Sequence, residues 1–180
     1  MAVLRLIARL GFALSLTLGL AVSARAADAN LEYAVKANYL FKFAPFVEWP
    51  EQAFSGPGSP FNICVVGRDR FGAALDQATK GGVVGDHPVA VRRYSAPVDG
   101  MACQILFVSP TDKQTAADIL NKIPRQGVLT VTDGKGGMIQ FVTLDGRVRF
   151  DVDMAAVQAS GLAVSSKLLS LALSYRRAEP

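Results

Sequence analysis

The chain has 180 residues, with 19 basic and 15 acidic side chains, one histidine and two cysteines. That length suits one ordinary domain, two cysteines are too few for a disulfide scaffold, and one histidine excludes a polyhistidine metal site. The net charge of +4 does not indicate a nucleic-acid binder: without Arg5, Arg9 and Arg25, which sit in a leader, 16 basic side chains face 15 acidic ones.

Residues 1–26 read as a signal peptide. Arg5 and Arg9 form its basic start, Leu10–Val22 its apolar middle and Ala24-Arg25-Ala26 its cleavage site. The apolar run is shorter than the ~20 residues a membrane-spanning helix needs. No cysteine stands directly after it to carry a lipid anchor, so the expected product is a soluble exported protein cleaved near Ala26, with residues 27–180 as its single domain.

That domain is organised around Tyr39–Pro50, YLFKFAPFVEWP, which holds five of the chain's 15 aromatic residues and only two charges, Lys42 and Glu48. A segment so apolar must be buried or offered to a partner. The expected helix Leu31–Phe43 carries apolar side chains nearly all round its axis from Tyr39 onward, which calls for cover on more than one side. Pro45 ends or kinks it, and Trp49-Pro50 leaves in an extended conformation. Phe46 and Trp49, where Pro45 turns the chain outward, are the candidates for a dimer or partner surface; packing into the core is the simpler account of them.

A glycine- and proline-rich loop, Phe54–Pro60, leads to Phe61–Val66 (FNICVV), an apolar run typical of a strand buried on both faces. A short helix is expected over Arg68–Thr79, a more polar strand near a sheet edge over Val89–Tyr94, and a second buried strand over Cys103–Val108. Ser109-Pro110-Thr111-Asp112 has the composition of a helix start, with Ser109 as N-cap, for a helix ending before Pro124. Val128–Val131 is a further strand. Met138–Leu144 and Arg147–Val152 flank Asp145-Gly146, a strong two-residue hairpin signal. Asp153 caps a short helix ending at Gly161, and Ser165 opens a last helix with the stripe Leu168, Leu171, Ala172 and Tyr175. Strands alternating with helices, then a hairpin, predict an α/β sandwich: one domain, a mostly parallel central sheet with an antiparallel hairpin edge, and helices on both faces.

Groups able to titrate or attack near neutral pH are scarce. His87 is the only histidine, in a turn where solvation is the simplest account. Ser165-Ser166-Lys167 lacks the serine an S-x-x-K nucleophile needs, since Val164 stands there. Gly134-Lys135-Gly136-Gly137 lacks Walker-A spacing and precedes a strand, so it reads as a tight turn. Asp153 is better explained as a cap than as half of a cation site with Asp151. Arg147 and Arg149 are most simply solvated strand positions, with the charge to attract an anionic ligand or partner as the alternative. Arg92 and Arg93 are most simply the same, and are the candidate contacts for an anionic ligand or partner. Catalytic residues, metal ligands and a cofactor are therefore not expected. Cys64 and Cys103 either pair, closing a loop of about 40 residues worth roughly 4 kcal/mol, or stand as two buried thiols. Export and the even count favour the bond.

Several segments, taken in order, resemble the YfiR family of periplasmic proteins (YfiR/HmsC-like): Val35–Pro50 (VKANYLFKFAPFVEWP), Phe61–Gly67 (FNICVVG) followed by Phe71 and Leu75, Val89–Arg93 leading to Cys103–Ser109 (CQILFVS), Val128–Asp133, Gly136–Phe141 (GGMIQF), Val148–Asp153 (VRFDVD) and Gly161–Ala172 (GLAVSSKLLSLA). Each is weak alone; their joint order is specific. The resemblance implies a dimeric periplasmic regulator of α/β sandwich fold, not an enzyme. Such a protein holds down an inner-membrane diguanylate cyclase of the YfiN type, limiting cyclic-di-GMP signalling and biofilm formation, until an outer-membrane lipoprotein of the YfiB type draws it away. It also implies that Cys64 and Cys103 can pair. Three features depart from the family pattern: a shorter connection from Asp133 to Gly136 without a second bridge, Phe150-Asp151-Val152-Asp153 in place of Phe-Glu-Ile-Asn, and Pro45 inside the aromatic run. A periplasmic small-ligand-binding module is the alternative reading.

Overall fold

The computed structural model describes residues 28–176; the leader expected over 1–26 lies outside them. The described part of helix α1 covers residues 28–43, so the helix already runs ahead of Leu31, where the apolar pattern places its start. Pro45 does end it: the chain tightens into a 3-10 turn, Ala44–Phe46, and leaves through the two-residue strand β1, Val47–Glu48.

Strands β2 (Phe61–Val66), β3 (Val83–Val84), β4 (His87–Tyr94), β5 (Ile105–Val108), β6 (Leu129–Asp133), β7 (Ile139–Leu144), β8 (Arg147–Asp153) and β10 (Ser174–Arg176) form an eight-stranded sheet in the order β10-β8-β7-β6-β5-β2-β4-β3. The β2, β4, β5, β6 and β7 neighbours pair in parallel, and so do β8 and β10. β7–β8 and β3–β4 are antiparallel. The α/β architecture predicted from the sequence is therefore the one observed. β9 (Ala163–Val164) pairs with β1 outside this sheet, in the register Val47↔Val164.

Every residue of β2 and β5 is buried, as continuous apolar strands require. On one face Ile63, Val65, Ile105, Phe107, Val131 and Phe141 pack against α1, against Leu75 of α2 (Ala73–Thr79) and against Val157 of α4 (Met154–Ala159) and Leu168 of α5 (Ser166–Leu171). On the other, Cys64, Val66, Leu106 and Val108 meet Ile119 and Leu120 of α3 (Ala116–Leu120). A disulfide joins Cys64 to Cys103 across a sequence separation of 39 residues, and both cysteines are buried.

Three sequence expectations shift. α2 begins at Ala73, not Arg68, because the Asp69 carboxylate accepts from the Phe71 and Gly72 amides and holds 69–72 as a turn. α3 begins after Thr115, not Ser109. The Ser109 amide donates to the Val66 carbonyl and prolongs the strand, while Thr115 and Asp118 form a reciprocal capping box. The last helix stops at Leu171, so Tyr175 leaves the expected stripe and lies in β10 beside Val152.

β6 and β7 are parallel neighbours joined by residues 134–138 alone, where such pairs usually need a dozen or more linking residues. Thr132 Oγ1 accepts from the Gly137 amide and Thr130 Oγ1 from the Met138 amide. A Cβ at residue 137 would meet the Thr132 amide nitrogen at 3.0 Å and the Ile139 carbonyl oxygen at 2.8 Å, so this return requires glycine.

Candidate functional site

The aromatic stretch forms one wall of an apolar cleft of about 510 Å³. α1 contributes Tyr39, Phe41, Lys42 and Phe43, and the 3-10 turn adds Pro45 and Phe46. The opposite side comes from Val83 and Val84 of β3 and from Leu168 and Leu171 of α5, with Phe150 of β8 below. Phe43, Phe150 and Leu168 form a buried floor. Tyr39, Phe41 and Phe46 are half-buried walls, while Lys42, Val83 and Leu171 stand exposed at the rim.

Local sequence explains the shape. Tyr39 and Phe43, one helical turn apart, stack at 5.9 Å, and Phe43 meets Phe150 edge-on at 5.1 Å. Phe41 lies against Gly82, where a Cβ would come within 2.8 Å of its ring. The Ser165 amide donates to the Phe46 carbonyl, which brings the start of α5 to the end of the aromatic turn. Lys167 then places its ammonium 5.8 Å from the Phe46 ring centroid. Trp49 points elsewhere: its Nε1 donates to the Ala44 carbonyl at 3.2 Å and its ring packs edge-on to Phe61 at 5.2 Å. Of the two candidate surface residues, Phe46 reaches the cleft and Trp49 is tied to the core.

A second constellation was not legible in the sequence. Lys36 is fully buried on the core face of α1, where it pairs with Glu32 and, at 2.8 Å, with Asp133 at the end of β6. Tyr33 donates its hydroxyl to the same carboxylate, and Arg70 lies 3.7 Å from it and over the Tyr33 ring. Burial works against the charged form of Asp133, but the hydrogen bonds from Lys36 and Tyr33 and the charges of Lys36 and Arg70 outweigh it and lower its pKa. Burial, then the bond to Asp133, pushes the Tyr33 hydroxyl well above its usual range. Asp133 thus stays charged and Tyr33 neutral near pH 7, and the pair fastens α1 to the sheet. The available signal was a lone charge among Tyr33, Ala37 and Leu40; nothing local pointed to Asp133.

The other sequence candidates are dispersed. His87 is not a solvated loop residue: it opens β4, half-buried, with Nδ1 2.6 Å from the Ser59 carbonyl and its ring stacked 3.9 Å from Phe54. Arg93 is held by Asp76 and Asp69, each at 2.7 Å, and the Asp76 hydrogen bond heads the causes that raise its pKa. Arg92 is exposed, and among the described residues its side chain makes only a long 3.4 Å contact to Asn62. Asp153 caps α4 through the Ala156 amide, and Asp151 accepts from Ser174. Among the described residues no three His, Cys, Asp or Glu side chains gather to hold a metal ion.

No curated protein matches the chain. A family model described as YfiR/HmsC-like matches residues 33–173, from the Tyr33 clamp through the cleft to the end of α5. Proteins of that family are periplasmic regulators and not enzymes. The chain belongs to the YfiR/HmsC-like family.

Proposed function

We propose that this protein acts in the periplasm, binding an inner-membrane diguanylate cyclase of the YfiN type and holding it inactive, so that cyclic-di-GMP synthesis and biofilm formation stay low. An outer-membrane lipoprotein of the YfiB type would draw it away. The observation that carries this reading is the family match across residues 33–173. The Cys64–Cys103 bond accords with it, since disulfides persist in oxidising compartments, as does the leader expected from the sequence of residues 1–26. The protein works as a dimer and without a cofactor. Phe46 centres the partner or dimer surface, with Trp49 buttressing it from the core side. Arg92 is the anion contact, because the Arg93 charge is already matched by carboxylates. Deleting the gene in a strain with an intact YfiN-type cyclase should raise cellular cyclic-di-GMP several-fold; an unchanged level would sink the reading. A small-ligand-binding module is the second reading, and the apolar cleft is the observation that favours it.

A further inference from the structure

The cleft is open at its rim, where Lys42, Val83 and Leu171 stand exposed. Its volume of about 510 Å³ falls within the ~300–1,000 Å³ typical of small-ligand sites. Its floor and walls are hydrocarbon and aromatic, and the one charged residue that lines it is Lys42. Lys42 lines the cleft and Lys167 stands over the Phe46 ring. None of the ion pairs formed among the described residues includes either lysine. Lys36, by contrast, is enclosed by carboxylates. An apolar trough with one ammonium group on its lining and another over the Phe46 ring, neither in an ion pair, suits a ligand whose long apolar tail ends in a negative charge. A neutral hydrocarbon would leave those charges unused. A polar anion would leave the trough wet.

We propose that the cleft between α1, β3 and α5 binds a single-chain anionic amphiphile, a long-chain carboxylate, with its tail on Phe43 and Phe150 and its head between Lys42 and Lys167. This goes beyond the regulatory reading and does not depend on it. A ligand so placed would share Phe46 with the proposed partner surface. Binding is a property of the isolated protein and can be measured without any partner.

The test titrates the mature protein with octanoate, decanoate and laurate below their micelle concentrations, and with 1-decanol as the uncharged comparison, by calorimetry and thermal shift. Each two added methylenes should tighten binding about tenfold until the trough is full. Decanol should bind about fivefold more weakly than decanoate, and Lys42→Gln should lose a similar factor for the carboxylates only. Leu171→Asp, at an exposed rim position, should abolish carboxylate binding while near-ultraviolet circular dichroism shows the fold intact. Each of these outcomes overturns the proposal: no saturable binding, equal affinity for decanol and decanoate, or carboxylate binding unaffected by Leu171→Asp. Absence of binding in a dimer that Leu171→Asp dissociates would assign the cleft to a second copy and overturn it likewise.

Discussion

Lys36 is the one charged side chain fully buried among the described residues, and its value depends on Asp133 staying ionised. Replacing the carboxylate leaves an ammonium in the core with only the half-exposed Glu32 beside it. Asp133→Asn should therefore destabilise the fold by about 3 kcal/mol, read from urea midpoints at pH 7. The pH dependence has a defined sign. The folded-state pKa of Asp133 is depressed, so its contribution is complete above the unfolded value of about 3.9 and disappears as pH falls through the lower folded value. Tyr33 is raised, so its contribution is complete below the unfolded value of about 10 and is lost as pH rises past it. Wild type should lose more stability than Asp133→Asn between pH 6 and pH 2; parallel losses would show that Asp133 is not the titrating clamp. Arg93 illustrates the same point from the opposite side. As a residue in the sequence it is a free cation, and only the turn at Asp69 and the first turn of α2 reveal its carboxylate partners.

Elements whose signals are local were the ones legible in advance. Asp145-Gly146 marks the β7–β8 hairpin because both residues adopt positive φ there, 49° and 69°. Asp153 and Ser165 accept from amides three residues on, as caps do. The buried strands β2 and β5 follow from unbroken apolar runs. The start of α3 was not legible, because two cap-like sequences lie six residues apart and the choice between them is made by a sheet bond to Val66. β10 was not legible either: three exposed residues become a strand only through their distant pairing with β8. Two substitutions test these elements by thermal or urea unfolding. Thr115→Ala should cost about 1 kcal/mol and Ser109→Ala clearly less; the reverse order would return the cap to Ser109. Gly137→Ala should cost about 2 kcal/mol or more, because the added methyl meets backbone on two sides. A neutral result there would contradict the tight β6–β7 return.

At the scale of the molecule, among the described residues one face of the sheet is deep and aromatic, and the other packs against the short helix α3 and the disulfide. The Cys64–Cys103 bond closes a loop spanning 39 residues, worth about 4 kcal/mol in the chain-entropy model. The Cys64→Ala, Cys103→Ala double variant should melt roughly 10 °C lower, and an unchanged melting temperature would remove the bond from the account of stability. The aromatic stretch was legible as a segment needing cover, and most of it is core. What the sequence could not reveal is that β3 and α5, distant along the chain, stop short of closing over it and leave Phe46 and Leu171 at the mouth of a cleft. Partner recognition by that surface is the central functional claim. It is tested most directly by co-expressing a YfiN-type cyclase from the same organism with the exported protein, in a host lacking both, and measuring cyclic-di-GMP. The account predicts a several-fold lower level with wild type than with the cyclase alone, and no reduction with a folded, exported Phe46→Asp variant. Equal cyclic-di-GMP with and without the folded, exported wild-type protein would contradict it.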